Sequence, residues 1–137
     1  MYRTLFLSLF ILCLSACKKD YYDFPDAKVN IFLYPNNAQY ANLNPLGGWV
    51  YIEGGVNGVL VFHDFLDNYI AYDRACTHEP SNPCERIIVE NDNSTLACEC
   101  CESKFFLYDG SVTHGPAQYA LKRYNTSFDG VVLSIYN

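Results

Sequence analysis

Basic residues are scarce in this chain: nine lysines and arginines stand against 15 acidic residues in 137 positions. No positive stripe can form to neutralise phosphates, which excludes nucleic acid as a partner. Long apolar runs are lacking too. The longest, Leu5 to Leu14, falls far short of the roughly 20 residues that span a bilayer. From Lys28 onward no window carries an amphipathic helical repeat, and no Gly-rich phosphate loop, carboxylate pair or nucleophile–base pair stands out. A twin-arginine export signal is also missing, because Arg3 is the only basic residue before the apolar run.

What the N-terminus does contain is an export signal. Met1-Tyr2-Arg3-Thr4 forms a short, singly charged n-region ahead of the apolar stretch, which ends in Leu14-Ser15-Ala16-Cys17. Small residues before a cysteine at that place resemble the lipobox of bacterial lipoproteins, in which Cys17 would be diacylated and become the mature N-terminus. Acyl chains hold a protein on a leaflet at about 0.8 kcal/mol per buried methylene. The expectation is a lipoprotein signal peptide over 1–17, a tether over 18–27 and one domain over 28–137. The partner at this end is a membrane of the bacterial cell envelope, periplasmic or cell-surface. Removing Arg3 with the leader leaves eight basic residues against 15 acidic ones, a formal charge of −7. Lys18-Lys19-Asp20 is read as part of the solvated tether.

The domain reads as strands. Val29, Ile31 and Leu33 alternate with Asn30, Phe32 and Tyr34, and Pro35-Asn36-Asn37 ends the run. Further strands are expected over Trp49–Glu53, Val59–His63, Tyr69–Arg74, Arg86–Glu90, Thr95–Cys98, Lys104–Tyr108, Tyr119–Tyr124 and Val131–Tyr136. Turn signals such as Gly54-Gly55, Asp67-Asn68, Asn91-Asp92-Asn93 and Asp129-Gly130 separate them. Asn93-Ser94-Thr95 and Asn125-Thr126-Ser127 are expected to be turn-forming polar residues, and residues 38–48 a loop. The pattern predicts an all-β sandwich or small barrel.

Cysteine counting sharpens the reading. Cys13 leaves with the signal and Cys17 is assigned to lipid, leaving Cys76, Cys84, Cys98, Cys100 and Cys101. Five is odd, so disulfides alone leave one thiol unexplained.

These residues lie in two loops, Cys76-Thr77-His78-Glu79 and, with nineteen residues between His78 and Cys98, Cys98-Glu99-Cys100-Cys101-Glu102-Ser103, followed later by Gly115-Pro116-Ala117. The pattern resembles that of Rieske [2Fe-2S] proteins, which carry C-x-H on one loop and C-x-x-H on a second, with extra cysteines bridging the loops. Cys98 to Phe105 resembles the family's C-P-C-H-G-S-x-F/Y run, and Gly115-Pro116-Ala117 its proline loop. The resemblance runs from about Trp49 to Asn137. It implies a Rieske-like antiparallel β-sandwich or small barrel with a two-loop cluster-binding subdomain. It further implies a [2Fe-2S] cofactor, metal ligands Cys76, His78, Cys98 and Cys101, and a Cys84–Cys100 disulfide. Ser103, Phe105, Gly115 and Pro116 would surround the ligands.

The sequence departs from the family at four places. Cys101 replaces the second histidine, Glu102 a glycine, Glu99 a proline, and Phe105 stands where high-potential members carry tyrosine. A Cys3His set adds one negative charge to a centre that normally has two thiolates and two imidazoles, so the potential should fall. The ring that accepts a quinol proton is the one replaced, which argues against quinol oxidation. The implied function is one-electron transfer to a redox protein partner, not catalysis by this chain alone. Export without a twin-arginine signal leaves a metal-free, disulfide-stapled Rieske fold with a structural or interaction role, or a zinc-binding one, as the alternative. His63 is read as a structural strand histidine. His114 directly precedes the proline loop, where the family has no ligand. The tyrosines are read as strand formers.

Overall fold

The computed structural model describes residues 22–137. The signal peptide, Cys17 and residues 18–21 of the expected tether lie outside the described residues. Within them, no helix is long and apolar enough to cross a membrane.

Ten strands form two antiparallel sheets among the described residues. They are β1 (Asn30–Leu33), β2 (Trp49–Ile52), β3 (Val59–His63), β4 (Tyr69–Asp73), β5 (Ile87–Val89), β6 (Thr95–Cys98), β7 (Lys104–Phe106), β8 (Val112–His114), β9 (Arg123–Phe128) and β10 (Leu133–Tyr136). The larger sheet has the order β1-β10-β9-β4-β3-β2, and the smaller β5-β6-β7-β8. The expected all-β architecture with a separate two-loop subdomain is what the chain adopts.

Period-two burial explains how the sheets stack. Leu33 of β1 and Val29 just before it are buried while Asn30 and Phe32 are exposed. β3 and β4 are buried along their whole length because apolar groups cover both faces. Val59, Val61, Tyr69 and Ala71 face one core with Val29, Leu33, Leu43, Leu133 and Ile135, inside the curl of the large sheet. Leu60, Phe62, Ile70 and Tyr72 face a second core shared with Ile87, Leu96 and Phe105 of the smaller sheet and with Leu107 just after β7. Fully burying a side chain such as Leu60 or Phe62 stabilises by about 1.5–3 kcal/mol. Cys76 and Cys98 belong to this second core, so the thiol-bearing loops are seated on it.

The structure corrects four local expectations. Tyr119–Tyr124 is not a strand through most of its length; the ladder begins at Arg123 and runs through Asn125-Thr126-Ser127, which are strand residues and not a turn. The preceding stretch is instead tied to the end of β4, by Asp73 N–H to Lys122 O at 2.8 Å, and to a turn, by Leu121 N–H to Gly110 O at 3.0 Å. Residues 38–43 of the expected loop form 3-10 turns over Ala38–Leu43, burying Leu43. β8 was not expected: it has three residues hemmed in by Gly110 and Gly115-Pro116, too few for a periodicity to show.

Candidate metal centre

The first thiol loop leaves β4 and returns into β5. Cys76 N–H bonds Glu85 O at 2.8 Å, and an isolated antiparallel bridge pairs Ala75 with Arg86, so Glu85 is held opposite Cys76. The second loop turns between β6 and β7, closed by Cys98 N–H to Ser103 O at 2.8 Å. Glu99 N–H to Arg86 O at 3.0 Å joins the two loops. So does the Cys84–Cys100 disulfide, with Cα atoms 5.9 Å apart. The bridging pair implied by the family resemblance is therefore formed.

Three free thiols converge between these loops. The sulfurs of Cys76, Cys98 and Cys101 and one carboxylate oxygen of Glu85 all lie within 4.8 Å of one another. Cys76 and Cys101 sulfurs are 3.6 Å apart. Backbone N–H groups are directed at the sulfurs: His78 to Cys76, Cys101 and Cys100 to Cys98, and Ser103 to Cys101. Burial, with the adjoining thiols, pushes the Cys76 thiol far up, and burial raises that of Cys98 as well. At Cys101 burial also acts upward, but hydrogen bonds from the Ser103 hydroxyl and N–H and from the adjoining thiols outweigh it and lower the thiol. Cys101 is thus the thiol of the three most ready to be a thiolate, the form that binds metal.

The other expected residues take distinct places. His78 stands at the rim, its side chain 34 % exposed, with Nδ1 2.9 Å from Glu85 Oε1. That hydrogen bond is the main reason its imidazole is held above its ordinary value. Ser103 is fully buried; its Oγ lies 3.1 Å from Cys101 Sγ and accepts the Ala117 N–H at 2.9 Å. Phe105 is fully buried in the core beneath Cys76 and Cys98. The exposed Gly115-Pro116 pair, joined by a cis peptide, leads into buried Ala117. A further tie runs from Thr77 Oγ1 to Tyr119 O at 2.5 Å. His114 is exposed on β8 opposite Lys104, outside the thiol group. His63 is buried, its ring nitrogens engaged by Leu43 O at 2.8 Å and Asp67 Oδ1 at 2.9 Å, a structural histidine.

Glu85 is the residue that sequence reading missed. Its side chain is 5 % exposed. Only its place directly after Cys84 hinted at the site, and nothing in the local pattern marks it as buried.

A pair of loops presenting three converging thiols above a small antiparallel sheet is the arrangement of a metal-binding domain. The sequence pattern of the Rieske [2Fe-2S] domain matches residues 39–125, and the chain belongs to that family. Among solved structures it is similar to the cyanobacterial plasma membrane Rieske protein PetC3 from Synechocystis PCC 6803. That match has 23 % identity and a TM-score of 0.54, over 65 % of this chain and 86 % of that one. It is also similar to the ferredoxin of carbazole 1,9a-dioxygenase from Nocardioides aromaticivorans IC177, at 16 % identity and a TM-score of 0.50, over 81 % of this chain and 98 % of that one. No curated protein matches the chain.

Membership makes the chain an iron–sulfur electron carrier whose cofactor is a [2Fe-2S] cluster. The residues fit that group in kind. Three soft thiols, two of them buried in an apolar core, receive backbone N–H groups that would stabilise sulfur charge.

Proposed function

We propose that this protein is a lipid-anchored one-electron carrier of the bacterial cell envelope, with Cys76, Cys98, Cys101 and His78 as the protein ligands of its cluster. The observation that carries the reading is the convergence of three thiols from two facing loops on one buried point. When bound, the cluster supplies a reversible one-electron couple. The chain's own residues do the rest. Cys76 and Cys98 anchor the site to the core, and Ser103 donates its hydroxyl to Cys101. Glu99 and Glu102 are exposed and add negative charge beside the thiols, which opposes electron uptake. Anchoring is supported by the Cys17 pattern, and an envelope location accords with the plasma membrane placement in the description of PetC3.

The test is an absorption spectrum with iron and sulfide analysis on protein from cytoplasmic and exported expression. Visible bands that bleach on reduction and are lost in Cys101→Ala are expected. Colourless, iron-free protein from both compartments, even after anaerobic reconstitution, would sink the reading. Cys17→Ser should release the exported protein from membranes; continued sedimentation with them would refute the anchor.

A further inference from the structure

Glu85 places a buried carboxylate beside three thiols, a mixed donor set of the kind that can coordinate a metal. Glu85 Oε2 accepts the Glu79 N–H at 2.9 Å, and Oε1 is 2.9 Å from His78 Nδ1. Besides these two contacts, which pair its charge, one of its oxygens joins the sulfurs of Cys76, Cys98 and Cys101 in a group spanning no more than 4.8 Å. His78, the ligand implied by family resemblance, is not in that group.

The spacing indicates how many ions such a set would hold. Zinc–sulfur bonds of about 2.3 Å place sulfurs about 3.8 Å apart along a tetrahedral edge. Cys76 and Cys101 are separated by 3.6 Å. In the cluster-free chain these four donors are mutually close, as in the shell of one ion. Three thiolates and one oxygen suit a borderline-soft, tetrahedral divalent cation.

We propose that Cys76, Cys98, Cys101 and Glu85 form a site for a single divalent cation of the zinc class. Glu85 is its fourth ligand, and His78 holds that carboxylate from outside. The site shares its thiols with the cluster reading but does not require a cluster, so it gives the exported, unloaded protein a metal of its own. Binding leaves every oxidation state unchanged: each thiol bound as thiolate releases its proton to solvent, and the cation exchanges its waters for the four ligands.

The experiment uses the cluster-free full chain in detergent, titrated with Co2+ as a spectroscopic stand-in for Zn2+. One Co2+ per chain with thiolate charge-transfer and tetrahedral d–d bands is expected. Glu85→Gln should weaken binding about tenfold or more and move the d–d bands. His78→Gln should leave the bands in place. X-ray absorption of the wild-type zinc form does not depend on any variant folding, and should show three sulfurs and one oxygen without imidazole scattering. Wild-type affinity and bands in Glu85→Gln, imidazole in the wild-type zinc shell, or no 1:1 complex would each overturn the proposal. Iron and sulfide assays report separately on the cluster, so either reading can fail alone.

Discussion

Ser103 Oγ lies 3.1 Å from Cys101 Sγ while accepting the Ala117 N–H at 2.9 Å. With one lone pair occupied by that amide, the hydroxyl proton is free to point at the sulfur. A single side chain therefore tunes Cys101 and fastens the proline segment to the cysteine loop.

Ser103→Ala removes the donor that shares the sulfur's charge. Electron uptake adds charge to the centre, so losing the donor should lower its potential, on the order of 50 mV for a loss of about one tenfold in the one-electron equilibrium. Protein-film voltammetry on the loaded protein reads this directly. Ser103→Thr retains the hydroxyl and should recover most of the shift. An unchanged potential in the alanine variant would show that the hydroxyl does not donate to Cys101.

Glu102 adopts φ +61°, the left-handed region in which side chains are strained and glycine is not. The family's glycine at this point of the loop has a conformational reason that this chain forgoes. Glu102→Gly should stabilise the fold by about 1 kcal/mol, raising the urea midpoint without changing the denaturation slope. A lowered midpoint would mean that the exposed glutamate makes a compensating contact.

The Cys84–Cys100 bridge closes a sequence separation of 16 and ties the two thiol loops together. Loop-closure entropy puts its contribution at about 3 kcal/mol. The double variant Cys84→Ser/Cys100→Ser should lose stability by about that amount and release metal faster on dialysis against chelator. Equal metal retention in the two proteins would show that the Glu99–Arg86 and Cys76–Glu85 backbone bonds hold the loops unaided.

Strand identity was legible wherever a β-rich run lay between clear turn signals. Val59–His63 and Thr95–Cys98 emerge with the bounds that their sequence suggests. Legibility failed where side-chain type and ladder position disagree. Tyr119 and Leu121 look like strand residues, yet their backbone bonds to Thr77 and Gly110 in loops. Asn125-Thr126-Ser127 looks like a turn, yet it pairs with Ser134, Ile135 and Tyr136, and Thr126 Oγ1 reaches Tyr69 O at 2.6 Å. Within the centre, the thiols were legible because cysteine spacing is distinctive. Glu85 was not, because its burial follows from the pairing of Ala75 with Arg86, a contact across eleven residues that no local pattern encodes.

Asp64 gives the acid limit of the fold a structural origin. It closes the β3–β4 hairpin, where Oδ1 accepts the N–H groups of Leu66 and Asn68, each at 2.8 Å, and the residue is 8 % exposed. Burial raises its carboxyl, but the Asn68 and Leu66 amides outweigh it and hold the group below the ordinary 3.8. The stability this contributes is fully present above 3.8, the unfolded value, and is lost as pH falls through the lower folded value. Asp109 and Asp129, lowered on exposed turns by hydrogen bonds to Ser111 and to Val132 and Val131, act in the same direction. Asp64→Asn leaves a neutral side chain in place of the charged acceptor. It should cost about 1–3 kcal/mol at pH 7, and the difference from wild type should shrink as pH drops below 3.8. Denaturant midpoints for the two proteins between neutral pH and pH about 2 test this. Curves that stay parallel throughout would show that Asp64 contributes through packing and not through its charge.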